Sequence, residues 1–273
     1  MGFWKKPASE TQITHGDRLW LYVVALVIML LMIIPTVIVV PMSFSDSQYL
    51  EFPPSHWSLR WYEEYFDSAK WMRSTMTSFQ IGVLTMLVAT PLGTMAAYAL
   101  YVSEHRAART IFVFLITPMI VPVILIAIGT FYVFGRLGLN NTIGGLVLAH
   151  TSLATPLVMI IITAALRTYD LNQERVARSL GASRLKAFFL ITLPQIRFSI
   201  LTAALLSFLT SFDEVIISIF ISGGVNATLT KQMFSALRDY IDPTIAAIST
   251  IMVFISTTLL LATQFFKARQ EKK

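Results

Sequence analysis

LWLYVVALVIMLLMIIPTVIVVPMSFS, Leu19 to Ser45, carries no charged side chain and exceeds the roughly 20 apolar residues that cross a bilayer as an α-helix. Its apolar run is too long for the core of a cleaved signal peptide, and no small-residue cleavage site follows it. It is therefore expected to stay as an anchor. The same pattern recurs along the chain: uncharged apolar stretches run from Ser74 to Ser103, Thr110 to Gly135, Leu137 to Leu166 and Pro243 to Phe266. Phe198 to Ser222 joins them except for the adjacent pair Asp213 and Glu214. The expected fold class is all-α, a polytopic membrane protein with six transmembrane helices over about 19–43, 75–102, 110–134, 143–166, 194–221 and 243–266. A single transmembrane domain is expected to take up residues 1–273, with no separate soluble domain.

Composition agrees with that outline. Of 273 residues, 55% are hydrophobic and 13% charged, with a mean hydropathy of +0.68, too apolar for an ordinary soluble domain. Disordered chains, disulfide scaffolds and nucleic-acid modules are disfavoured, since there is no cysteine and little polar surface to solvate. Lys and Arg fall unevenly on alternate sides of the spans. Fifteen lie on the side of Lys5, Lys6, Arg18, Arg106, Arg109, the run Arg167 to Arg197, and Lys267, Arg269, Lys272 and Lys273, against six on the side of Arg60, Arg136 and Lys231. The richer side is expected to be cytoplasmic, with both termini inside. The net charge of +6 follows from that retention of basic loops and needs no nucleic-acid partner.

Between spans, Asp46 to Arg73 is packed with Tyr49, Trp57, Trp61, Tyr62 and Tyr65, which reads first as an aromatic belt at the membrane interface. Pro91, Gly93, Pro118, Pro122, Gly129 and Pro156 read as helix kinks within spans. The four histidines, His15, His56, His105 and His150, stand far apart and read as loop or interface residues, so neither a metal site nor a catalytic constellation is expected. No G-x-x-x-x-G-K-[ST] run is present, so this chain is expected to hold no nucleotide cofactor.

The informative segment separates the fourth and fifth spans. RTYDLNQERVARSLGASRLKAFFL, Arg167 to Leu190, has Asp170 at an N-cap position and an apolar stripe on either side of Gly181. Two short amphipathic helices joined at Gly181 and Ala182 are expected, and composition alone would lay them on anionic lipid.

Spacing points elsewhere. Val176 and Ala177, then Gly181, then Ile191, Leu193 and Pro194 resemble the EAA loop of ABC importer permeases. Arg175 occupies the place of that motif's Glu, with Glu174 one residue earlier, and Val176 replaces an alanine. LSFLTSFDEVIISIFISGG, Leu206 to Gly224, and Arg60-Trp61-Tyr62 resemble the second permease of spermidine/putrescine-type importers, a group that also takes opines and other small nitrogenous solutes.

The resemblance implies a type I importer permease fold with cytoplasmic coupling helices in the bacterial inner membrane. It implies a sister permease, two cytoplasmic ATPase subunits that hold ATP and Mg, a periplasmic substrate-binding protein and membrane lipid as partners. Residues 167–193 become the coupling loop, with Glu174, Val176, Ala177, Gly181 and Ala182 toward the ATPase and Ile191, Leu193 and Pro194 ending the motif. Asp213 and Glu214 are candidates for the substrate path because ionised groups at that depth need water or a cation, and Trp61 and Tyr62 join them. A channel or secondary transporter is the competing class, disfavoured by the absence of an inverted repeat.

Overall fold

The computed structural model describes residues 15–103 and 105–270, with side chains as far as Leu261. Of the basic residues counted for orientation, Lys5, Lys6, Lys272 and Lys273 lie outside the described residues, as do the side chains of Lys267 and Arg269. Among the described residues every regular element is helical, apart from one isolated antiparallel bridge between Ser45 and Trp57. The chain forms two compact units, one reaching to Tyr65 and including Ile241–Val253, the other made of Phe66–Tyr240 and the chain beyond Val253.

In the first unit α1, Leu19–Met42, buries none of its residues, so its whole apolar circumference is left for lipid or another chain. The loop after it folds against the start of α2, Arg60–Asp67. There the Phe44 ring meets Tyr62, with centroids 5.3 Å apart, and the Ser58 amide donates to the Phe44 carbonyl at 2.7 Å.

The second unit is built around α3, Ala69–Tyr101, capped by the Ser68 hydroxyl. After it come α4, Ala108–Ile116, α5, Val123–Leu137, and α6, Ile143–Thr168. The connecting segment holds α7, Asn172–Ser179, α8, Arg184–Ala187, and α9, Leu193–Gln195. It leads into α10, Arg197–Phe212, α11, Ile216–Ile221, and α12, Leu229–Asp239. The last helix, α13, runs over Thr244–Gln270.

Helices α3, α6 and α10 pack closely because small residues line their seams, as expected where lipid is no poorer a solvent than a leucine face. A Cβ on Gly93 of α3 would sit 2.7 Å from Val158 and 3.1 Å from the Thr155 carbonyl of α6, so only glycine permits that approach. Around this seam Tyr98, Met159, Ile162, Leu166, Phe188 and Ile196 form one buried cluster. A second, of Ile81, Ala127, Leu146, Ile217 and Ile221, joins α3, α5, α6 and α11.

Four helices are long and apolar enough to cross a membrane, and up to six spans result if each of two bent pairs counts as one. The bends fall in the expected third and fifth spans, of which the kink positions Pro118 and Pro122 mark only the third. Over 110–134 the chain turns by 92° between α4 and α5. Pro118 sits in the 3-10 turn Thr117–Met119 and Pro122 directly precedes α5; the missing N–H groups and the restriction on Val121 before a proline end α4 and restart the chain in a new direction. Pro91 and Pro156, by contrast, stay inside continuous α3 and α6. Over 194–221 the chain bends by 78° at Ile196 and breaks again after Phe212, so that Asp213, Glu214 and Val215 separate α10 from α11.

Candidate functional site

The segment after α6 leaves Thr168 and turns on Asp170, whose carboxyl accepts the Asn172 amide at 2.9 Å at the start of α7. α7 ends at Leu180, and Gly181 follows with φ +92°, a left-handed conformation that costs a side-chain-bearing residue about 1–2 kcal/mol. The Gly181 and Ala182 amides close the helix end on the Arg178 and Ala177 carbonyls at 3.0 and 3.1 Å. Ser183 then caps α8 by accepting the Lys186 amide. Pro194 offers no N–H to the turn before it, and the chain widens into a π turn over Phe188–Thr192 that carries Phe188 inward and Thr192 back toward α7.

Glu174 is the centre of this arrangement and is only 4% exposed. Its carboxyl accepts the Tyr98 hydroxyl of α3 at 2.6 Å and the Thr192 hydroxyl at 2.9 Å. The Tyr98 ring in turn lies against Phe188, with centroids 4.5 Å apart. One carboxyl thus ties α7, the π turn and the end of α3 together. Glu174, grouped from its motif position with the residues facing the ATPase, is turned into its own chain because its partners come from elements 76 and 18 residues away.

What remains on the outside is apolar and basic. Val176, Leu180 and Leu185 are 59%, 84% and 72% exposed, and Arg175, Arg178, Arg184 and Lys186 are exposed among them. Ala177 and Ala182 are half-buried beside the exposed Gly181. Ile191 and Leu193 are half-buried and Pro194 is exposed. The loop therefore presents a projecting surface on a base fastened to α3, α6 and α10.

The break after α10 separates the two acidic residues by role. Glu214 Oε1 accepts the Ile217 amide at 2.9 Å and so caps α11, while its carbonyl accepts the Thr230 hydroxyl of α12 at 2.9 Å. Asp213 is exposed, and no described basic group lies within salt-bridge distance of either carboxyl. On α12 the Lys231 ammonium donates to the Ser222 carbonyl, and burial holds it below the usual lysine range.

His150, expected at an interface or in a loop, is instead the buried partner of this break, at 1% exposure in α6. Its Nδ1 lies 2.8 Å from Ser211 Oγ at the end of α10, its Nε2 is 3.5 Å from Ser218 Oγ in α11, and Ser211 Oγ donates to Thr85 of α3 at 3.3 Å. All of these bonds are met when Nδ1 carries the proton, donates to Ser211 and leaves Nε2 to accept from Ser218. A polar ring inside an apolar span was the available signal, because such groups persist there only with partners.

Trp61 and Tyr62 belong to the first unit and do not line an open path within it. Trp61 is 7% exposed and its indole N–H donates to the Ser47 carbonyl at 3.2 Å, while the Tyr62 and Ser43 hydroxyls bond at 2.7 Å. Both side chains hold the loop after α1. Among the described residues no group of three or more metal-binding side chains occurs.

Residues 89–273 match the family described as "Binding-protein-dependent transport system inner membrane component". The "Putrescine transport system permease protein PotI" of Escherichia coli (strain K12) is 31% identical over 263 residues, covering 93% of this chain and 92% of that protein. The "Spermidine/putrescine transport system permease protein PotC" of Haemophilus influenzae is 30% identical over 232 residues, covering 85% and 90%. Among solved structures, a bacterial ABC transporter that imports the acidic polysaccharide alginate aligns with a TM-score of 0.63 at 15% identity, over 95% of this chain and 98% of that one. The inward-facing MetNI methionine ABC transporter aligns with a TM-score of 0.55 at 14% identity, over 73% and 97%. These last two share the fold.

Proposed function

We infer the function from the premise that the chain belongs to the family of binding-protein-dependent transport system inner membrane components, as a multi-pass permease subunit and not an enzyme. Its solute is a polyamine such as putrescine or spermidine. Its energy comes from ATP and Mg held on separate ATPase subunits, a sister permease completes the pathway, and a periplasmic binding protein delivers the solute. The observation that carries this reading is the segment 167–193, locked inward by Glu174 and projecting Val176, Leu180 and Leu185 outward. Such a surface suits docking on a partner that moves, since a push on α7 or α8 passes through the Glu174 bonds to α3 and through Ile196 to α10. The relatives' names and the uncompensated Asp213 support the cationic solute.

Uptake tests it. Vesicles holding this chain with its sister permease and ATPase, supplied with the binding protein, should accumulate labelled putrescine only with ATP. Accumulation of a neutral or anionic solute in preference to putrescine would overturn the polyamine assignment.

The loop side is cytoplasmic in this proposal, as are both termini. Because the chain has no native cysteine, Gln48→Cys and Lys186→Cys, both at exposed positions, can be labelled separately with an impermeant thiol reagent in outer-permeabilised cells. Gln48→Cys should react and Lys186→Cys should not. The opposite pattern would invert the sides.

A further inference from the structure

We propose that the cavity between the end of α3, the start of α4 and the end of α6 binds the phosphate headgroup of an anionic membrane lipid. The cavity measures about 360 Å³. Three guanidinium groups line it, Arg106 and Arg109 at the entry to α4 and Arg167 in the last turn of α6. All three residues are exposed and none has a carboxylate within salt-bridge distance among the described residues. Of the acids nearest in sequence, Asp170 accepts the Asn172 amide and Glu104 lies outside the described residues.

The cavity's other walls are mixed, with the polar side chains of Tyr101, Ser103 and His105 beside apolar ones. Leu100 and Phe112 supply apolar surface, and Thr163, which also lines the cavity, has a buried hydroxyl with no hydrogen-bond partner. Leading away from the cavity, α4 leaves Ile111, Val113 and Phe114 exposed at 46%, 51% and 75%. Cations at the end of a membrane-spanning element, followed by an apolar helix surface, match a molecule with a phosphate at one end and acyl chains at the other. Basic pockets between transmembrane helices bind such headgroups by this combination. Free phosphate would use the guanidinium groups and leave the apolar surface idle.

The place matters for function. Arg167 is separated from α7 by four residues, and the cavity shares Ala97 and the α3–α6 seam with the cluster that holds Tyr98. A bound headgroup would brace the end of α3, which Glu174 also fastens, and tie it to α4 and α6.

The test is native mass spectrometry of the detergent-purified importer titrated with phosphatidylglycerol, with phosphatidylcholine and inorganic phosphate as comparisons. The wild type should retain phosphatidylglycerol in preference to phosphatidylcholine, and millimolar phosphate should not displace it. Removing both charges in Arg109→Gln/Arg167→Gln should weaken retention about thirty-fold, from roughly the worth of two surface cations beside anionic lipid. Arg109→Lys/Arg167→Lys keeps the charges and should stay within about threefold of wild type on the same basis, whereas Arg136→Gln, outside the cavity, should change nothing. Equal retention by the Gln pair and the wild type would overturn the site. Indifference between the two lipids would overturn it without recourse to any variant, and complete displacement by phosphate would assign the cavity to the free anion instead.

Discussion

Replacing Glu174 by alanine should uncouple ATP hydrolysis from uptake, lowering solute accumulated per ATP at least tenfold while the chain still inserts and assembles. The change strands the buried Tyr98 hydroxyl and leaves Thr192 Oγ1 only its 3.3 Å bond to the Tyr169 hydroxyl, and an unsatisfied buried group costs about 1–3 kcal/mol. That is enough to release α7 from α3 without unfolding the helical bundle, which the apolar contacts of its two buried clusters still hold. Glu174→Gln decides between an internal clamp and a charge pair with another subunit. A glutamine keeps one acceptor for Tyr98 and offers an amide to the Thr192 oxygen, so most coupling should return. A charge pair across the interface would be lost as fully in Glu174→Gln as in Glu174→Ala. Tyr98→Phe should reproduce part of the defect, and adding it to Glu174→Ala should worsen the alanine variant little, because the two changes remove the same bond. Normal coupling in Glu174→Ala, measured as binding-protein-stimulated hydrolysis against uptake in one vesicle preparation, would refute the clamp.

The local parts of this site were legible in the sequence because they depend on local rules. Gly181 and the stripe around it marked two short helices joined by a turn, and the turn has the positive φ that makes glycine the residue of choice. Uncharged stretches marked α1, α3, α6 and α13, since hydropathy reads length and composition alone. The direction of Glu174 was not legible, because which face of α7 is buried depends on Tyr98, 76 residues earlier. Motif spacing placed the carboxyl beside its expected position, and one residue on a helix turns a side chain by about 100°. Prolines were ambiguous in the same way. Pro91 and Pro156 sit within continuous helices, whereas Pro118 and Pro122, four residues apart, break the third span. Trp61 and Tyr62 became candidates for solute contact through the resemblance carried by Arg60-Trp61-Tyr62. Their polar atoms are taken by Ser47 and Ser43, partners that spacing does not reveal.

Asp213→Asn should slow uptake of a dicationic polyamine by roughly tenfold or more, the equivalent of about 1.4 kcal/mol, with no loss of stability or assembly. The neighbouring Glu214→Gln should do little. The difference follows from the break between α10 and α11. Glu214 spends its carboxyl on the Ile217 amide, a bond that a glutamine oxygen can keep, so its charge is secondary to its capping role. Glu214→Ala removes the cap and should destabilise the chain by about 1 kcal/mol, with uptake following the loss of folded protein. Asp213 makes no such bond through its side chain and stands exposed at the end of α10, where His150 holds Ser211 on one side of the break and Ser218 on the other. A carboxylate in that position, flanked by a fixed polar network and unpaired among the described residues, would be free to attract a cation without surrendering a structural bond. His150→Leu supplies the control: it should loosen the break and lower thermal stability, because Ser218 Oγ loses its bond to the ring and Ser211 Oγ keeps only Thr85, and it should impair uptake of charged and uncharged test solutes alike. Asp213→Asn should discriminate by charge, slowing putrescine more than a neutral analogue of similar size. Equal slowing of both solutes would make Asp213 a structural residue, and unimpaired putrescine uptake would remove it from the path.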